Sequence, residues 1–321
     1  MTVPHVAAPR IAALGGGHGL SASLSALRTL TDTLTAIVTV ADDGGSSGRL
    51  RDELHVPPPG DLRMALSALC EDTEWGRTWR DVLQHRFTTD GPLDGHSLGN
   101  LLIAGLWDRT GGVVEGLDWV GRLLRSHGRV LPLANEPLKI SAEVSEAETV
   151  RVVEGQVAVA TAPGRITRVW IEPDNPEVPE ETRTAIREAH LVALGPGSWY
   201  SSVLPHFLVP AVASELVQAS ARAVLTLNIA HVDDETRGTG RSDDVAALQR
   251  VAPDFVPAVV LVDESHAMEP GLLPLLERWG SVALIRDLCL EGSVDRHDPE
   301  ALAEAYREAL DIVGKAPSSG E

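Results

Sequence analysis

The stretch RIAALGGGHGLSASLSAL, residues 10–27, constrains this chain more than any other. A short apolar run ends in a glycine cluster, and apolar residues at helical spacing follow. A second apolar, β-branched run, LTAIVTVADD at 34–43, comes next and ends in two acids. Runs that are apolar throughout suit strands buried on both faces, and a helix between two of them makes a βαβ unit. That unit commits the chain to a parallel sheet. It also requires a sharp turn at the glycines with no side chains in the way.

The rest of the chain extends the pattern. From 61 to 125 the periodicity is mostly helical, through DLRMALSAL, TWRDVLQHRF, LGNLLIAGLWDRT and VEGLDWVGRLLRS. From 130 to 171, LKISAEV, VRVVEGQVAVA and RITRVWIEP alternate with turn residues and predict a small antiparallel sheet. Further strands are expected in AHLVALGPGS (189–198), ARAVLTLNIA (221–230), AVVLVDE (258–264) and SVALIRDL (281–288). A closing helix over 298–313 takes Asp298 as N-cap and Pro299 in its first turn. The expected fold is α/β: a Rossmann-like parallel sheet with helical and small antiparallel β insertions. Residues 1–321 read as one domain, with the helical insertion at about 61–128 and the β insertion at about 130–172.

Composition excludes several functions. With 321 residues and 43% hydrophobic content, the chain has enough apolar surface for a large core. The formal net charge of -19 argues against a nucleic-acid partner, which needs a basic face. It leaves room for a small anion held by backbone amides and a few arginines. Cys70 and Cys289 stand far apart and form no disulfide framework, as expected in a reducing cytoplasm. No apolar run reaches the roughly 18 residues of a membrane span, and MTVPHVAAPR has no signal-peptide pattern.

Five stretches carry candidate chemistry. At the first turn, Gly15, Gly16, Gly17, His18, Gly19 and Leu20 miss the dinucleotide fingerprint, because Leu20 holds its third glycine position. The P-loop pattern fails too. What remains is a glycine turn whose amides face any ligand at a helix start, or one that only packs strand on helix. VADDGGSSGRLRDE at 40–53 reads as a loop placing Asp42, Asp43, Gly44, Ser46 and Ser47 beside that turn. Its acids suit ribose hydroxyls or a divalent cation; a plain surface loop is the alternative. In PPPGDLRMAL, Asp61 is either a helix cap or a ligand group, and Arg63 sits where the helix dipole disfavours a cation unless an anion is near. DGHSLGNLLIAGL places His96 and Asn100 before an apolar helix, for ligand contacts or for capping. LVALGPGSWYSSVLP repeats the strand–glycine–helix plan with Gly195, Gly197, Ser198 and Ser201. GPGSWYS is not a hydrolase nucleophile elbow, and the eleven histidines lack a zinc spacing.

Together GGGHGLS, DDGGSSGRLR, PPPGDLRMAL, HSLGNLLIAGL, LGPGSWYSSVLP, LNIAHVDDET and RHDPEALA resemble the gluconeogenesis factor (YvcK-like) family of bacteria, in the superfamily of 2-phospho-L-lactate transferases (CofD-like). They run in the family's order from 15 to 303, and DDGGSSG and RHDP are similar to the YvcK branch. The resemblance implies a cytoplasmic UDP-sugar-binding regulator tied to carbon metabolism, cell shape and cell-wall precursor supply. It implies no required cofactor and no resident metal, and it leaves room for a regulatory protein partner and a homo-oligomer. The alternative is a transferase moving phospholactate onto a deazaflavin precursor with Mg²⁺. On this reading Gly15–Leu20 and Gly195–Ser198 supply amides to a diphosphate. Asp42, Asp43, Ser46 and Ser47 hold a ribose, sugar or metal. Asp61, His96 and Asn100 orient the remainder, Asn228 belongs to the ligand-binding set, and Arg296 reaches a phosphate or sugar. No catalytic residue is assigned. The chain departs from the family in two places: His18 replaces the hydroxyl residue of GGGTGL, and NIAHVDDETRGTG keeps Asn228 but loses the Thr-Gln-Pro-Gly core.

Overall fold

The computed structural model describes residues 8–146, 149–230 and 239–315. The main sheet takes β1 (Ile11–Gly15), β2 (Leu34–Val38), β3 (Arg129–Pro132), β7 (Leu191–Leu194), β8 (Ala223–Thr226), β9 (Val259–Asp263) and β10 (Val282–Arg286). Its order is β10-β9-β8-β7-β1-β2-β3, and every pair is parallel. β4 (Lys139–Glu146), β5 (Thr149–Glu154) and β6 (Arg165–Glu172) form a separate antiparallel sheet in the order β5-β4-β6. The expected α/β class and both sheets are present.

β1 is buried at all of its positions, as a strand covered by helices on both faces must be. Ile11 pairs with Leu34 on one side and Leu191 on the other. From β1 the chain crosses to β2 in one direction, and β7 through β10 extend the sheet in the other. β1 and β7 therefore flank the topological switch point, where open α/β sheets leave a crevice beyond the strands' carboxyl ends. Both glycine turns lie at these two strand ends.

Helix α1 (Gly17–Leu27) follows the first turn and buries Leu20, Leu24 and Leu27. Next come α2 (Gly45–Leu54), α3 (Gly60–Ala68), α4 (Glu74–Gln84), α5 (Leu98–Thr110), α6 (Val113–Leu124) and the short α7 (Gln156–Ala160). Among the described residues no helix is long and apolar enough to cross a membrane.

Three elements differ from the sequence expectation. β3 lies inside the segment assigned to the β insertion, yet it pairs with β2 as the edge of the main sheet. Four residues are too few to show a strand pattern, and its Pro132 is tolerated because the strand is an edge. QVAVA reads as strand but forms α7, because the chain turns at Gly155 and Asp43 Oδ1 accepts the Val157 N–H at 3.0 Å. The supposed loop at 40–53 is helical from Gly45 onward. Its glycines mark the helix start, and Arg49, Leu50, Arg51, Glu53 and Leu54 carry it on as good helix formers.

The two glycine turns press directly on each other. A Cβ at Gly19 would stand 2.2 Å from the Pro196 carbonyl oxygen and 2.6 Å from Gly197 Cα. Backbone against backbone cannot yield as a flexible side chain would. Gly19→Ala is therefore expected to cost at least about 2–3 kcal/mol by overpacking. Urea unfolding measures this; a midpoint within error of the wild type would show that the turns separate freely.

Candidate functional site

Three helix starts converge beyond β1 and β2. Gly16, in extended backbone, is the N-cap of α1, and Gly44 is the N-cap of α2. Neither helix has a side-chain cap, so the first-turn amides are left for other acceptors. α3 starts between them. A Cβ on Gly60 would meet Ser47 Oγ at 2.3 Å and Asp42 Oδ2 at 2.6 Å. A Cβ on Gly16 would meet Asp61 Oδ2 and Thr39 Oγ1, each at 2.6 Å. Asp61 thus sits against the start of α1, while its neighbour Gly60 sits against α2. Gly17 has φ +58°, and beside it lies open space, with Asp61 Oδ1 the nearest atom at 3.9 Å from a built Cβ.

Behind these starts lies a buried polar network. Ser46 Oγ accepts the Ser97 N–H at 3.2 Å and an Asn100 Nδ2 proton at 3.1 Å. Both hydroxyl lone pairs are then used, so the hydroxyl proton goes to His96 Nδ1, 3.0 Å away. The neutral imidazole therefore carries its own proton on Nε2. Burial first, and Arg49 second, hold the His96 pKa below its ordinary value, in keeping with that state. The Asn100 amide also has a fixed orientation, because its Oδ1 accepts from Arg63 Nε at 2.9 Å. Arg63 further donates to Gln84. Burial, then Arg86, lowers the Arg63 pKa to about 10, while Asp61 and Asp42 act the other way. The anion that an early-turn arginine calls for is supplied, at least in part, by the protein itself.

The second glycine turn is built differently. Gly195 N–H donates to Leu14 O at 3.2 Å, and Pro196 has no N–H. Asn228 grips Gly197 from both sides, accepting its N–H at 2.9 Å and donating Nδ2 to its carbonyl at 2.8 Å. The Gly195 and Gly197 amides are therefore spent inside the protein rather than offered to a diphosphate. Asn228 acts as a brace. The Ser198 and Ser201 hydroxyls bond each other.

The structure brings together Gly15–Leu20, Asp42, Asp43, Gly44, Ser46, Ser47, Asp61, Arg63, His96 and Asn100, with the second turn alongside. Within the first group Leu20 is a core residue and the His18 side chain is exposed. Asp42 Oδ1 accepts the Gly44 N–H at 2.9 Å, and Asp43 caps α7. Arg296 is exposed, and no described contact joins its side chain to the other candidates. The altered family motif across 231–236 lies outside the described residues. Sequence reading missed Thr39, one residue past β2, and Gln84, at the far end of α4. Neither stands in a glycine-rich stretch that would have flagged it.

A family profile described as 2-phospho-L-lactate transferase CofD matches residues 11–276, from the first residue of β1 past both glycine turns. The chain belongs to this family. A Mycobacterium leprae relative, named "Putative gluconeogenesis factor", is 50% identical over 305 residues, covering 92% of this chain and 85% of the relative. The Gluconeogenesis factor of Bacillus subtilis is 42% identical over 257 residues, covering 80% and 79%. The crystal structure of a UPF0052-family protein from Bacillus halodurans superposes with a TM-score of 0.83 at 36% identity, covering 92% of this chain and 98% of that one.

In this CofD-family site, Asp61 carries the strongest electrostatic strain. Burial, reinforced by Asp42, raises its pKa from 3.8 to about 7, against the pull of the Thr39 hydroxyl, the Gly17 N–H and Arg63. A raised acid pKa means that the native state binds the extra proton between about pH 4 and 7, so stability falls as pH rises through that window. The full penalty, on the order of 4 kcal/mol, is present above pH 7 and absent below pH 4. Asp61→Asn should flatten this slope and be the more stable protein at pH 8. Urea unfolding at pH 5 and pH 8 checks it; parallel pH profiles for the two proteins would refute the assignment.

Proposed function

We propose that the chain is a cytoplasmic UDP-sugar-binding regulator linked to carbon metabolism, cell shape and cell-wall precursor supply. One observation carries the reading: α1 and α2 both begin at glycine N-caps without side-chain caps, and α3 starts against both, with Asp61 beside the start of α1 and Gly60 beside that of α2. Each helix start concentrates roughly half a positive charge and N–H donors without a side-chain cap, of which the Gly17 N–H is held by Asp61, and this suits the phosphates of a nucleotide. The chain's overall charge does not oppose this, since the field of the first turn is local. Asp42 and Asp43 stand at the mouth of α2, where carboxylates accept from ribose or sugar hydroxyls. The gluconeogenesis-factor names of the relatives support the link to carbon metabolism.

A second reading follows from the family profile's own description, that of a transferase. It would need Mg²⁺. Among the described residues no group of three or more His, Cys, Asp or Glu side chains forms a metal cage. A cation here would be taken by one or two of Asp42, Asp43 and Asp61 together with ligand phosphates, as Mg²⁺ commonly is. It would neutralise phosphate charge during transfer.

Calorimetry with UDP-sugars is expected to give micromolar to sub-millimolar affinity, about -5 to -8 kcal/mol. No heat with any of them would remove the reading. Gly17→Ala should abolish that binding by filling the open space at the helix start, at a folding cost of about 1–2 kcal/mol for a left-handed alanine. Asp43→Asn keeps an acceptor for Val157 and should weaken binding by about 1–3 kcal/mol, with Mg²⁺ making little difference. Product formation from a deazaflavin acceptor that strictly needs Mg²⁺ and is lost in Asp43→Asn would favour the transferase instead.

A further inference from the structure

Beneath the glycine turns runs a chain of three buried hydroxyls that the site description does not use. Tyr306, on the C-terminal helix Pro299–Lys315, has its OH 2.9 Å from Ser23 Oγ on α1 and 2.9 Å from Thr226 Oγ1 at the end of β8. Ser23 in turn donates to the Gly195 carbonyl at 2.8 Å. All three side chains have zero exposure. The terminal carbonyl can only accept, which fixes every link before it. Ser23 spends its proton on Gly195, so Tyr306 donates to Ser23, and Thr226 donates to Tyr306. The relay runs one way, from β8 through the last helix and α1 into the turn after β7.

We propose that Tyr306 is a positioning residue that sets the spacing of the two glycine turns. Its hydroxyl acts through Ser23, which belongs to the helix of the first turn and holds the carbonyl of the second. Among the described residues, Leu14 O holds Gly195 and Asn228 holds Gly197, and neither of these contacts reaches α1. With the relay intact, Gly19 stays seated against Pro196 and Gly197, and the start of α1 keeps its place beside Asp61. The effect on ligand affinity rests on the UDP-sugar reading; the effect on the turn does not.

Tyr306→Phe removes the hydroxyl but keeps the ring. It also leaves the Thr226 hydroxyl buried without an acceptor, which alone lowers stability. The double variant Tyr306→Phe with Thr226→Val removes that orphan and separates the two effects. Hydrogen–deuterium exchange over residues 193–200 is expected to quicken by about tenfold in both variants, while exchange in the strands of the main sheet recovers to the wild-type rate in the double one. UDP-sugar affinity should fall by about tenfold in both. Wild-type exchange at the turn in Tyr306→Phe, or its return to wild type in the double variant, would overturn the proposal by showing a role in packing alone. If the wild type binds no UDP-sugar, the functional reading fails, and the exchange measurement still decides the role of Tyr306.

Discussion

The contact between the start of α1 and the turn after β7 is the constraint on which the rest of the site depends. Backbone meets backbone there, with Gly19 seated on Pro196 and Gly197. No side chain cushions the approach, so the main chains set how closely the two turns can come, while Ser23 ties α1 to the Gly195 carbonyl. That spacing is possible only because β1 and β7 are neighbours in the sheet, paired from Ile11 and Leu191 onward. The crevice of the switch point is thus inherited from strand order, and its width from glycine.

The electrostatics follow from this economy of side chains. The chain is strongly acidic, yet its candidate anion site uses few cations. Its only arginine within the buried network, Arg63, is tied to Asn100 and Gln84 and balanced by nearby carboxylates. The positive potential at the two helix starts therefore comes from peptide dipoles, which carry no net charge and keep their direction at any pH. The cost is concentrated on Asp61, an acid buried away from water and close to a second acid, which the N–H at the start of α1 only partly offsets.

Much of this was legible in the sequence, for identifiable reasons. β1, β7, β8 and β9 are apolar along nearly their whole length and buried at every position, so their buried, parallel character could be read directly, whereas the edge strand β10 is largely exposed. Glycine clusters after strands marked both turns. What the sequence concealed were features whose cause lies elsewhere in the chain. β3 is too short for a pattern and exists because β2 offers it an edge. α7 owes its start to Asp43, over a hundred residues earlier. The bracing of Gly197 by Asn228 could not be read from the sequence, because the two residues are distant in it. Thr39 and Gln84 acquire meaning only from Asp61 and Arg63, which fold against them.

The Ser46 hydroxyl has a further consequence. With both lone pairs and its proton committed, the network around it has a single arrangement of protons. Such a network cannot reverse its polarity to accommodate a newcomer. A serine surrounded by solvent can offer either sense of hydrogen bond; this one has no choice left, and it passes that restriction to the imidazole. Whatever approaches the far side of the His96 ring meets a donor and never an acceptor.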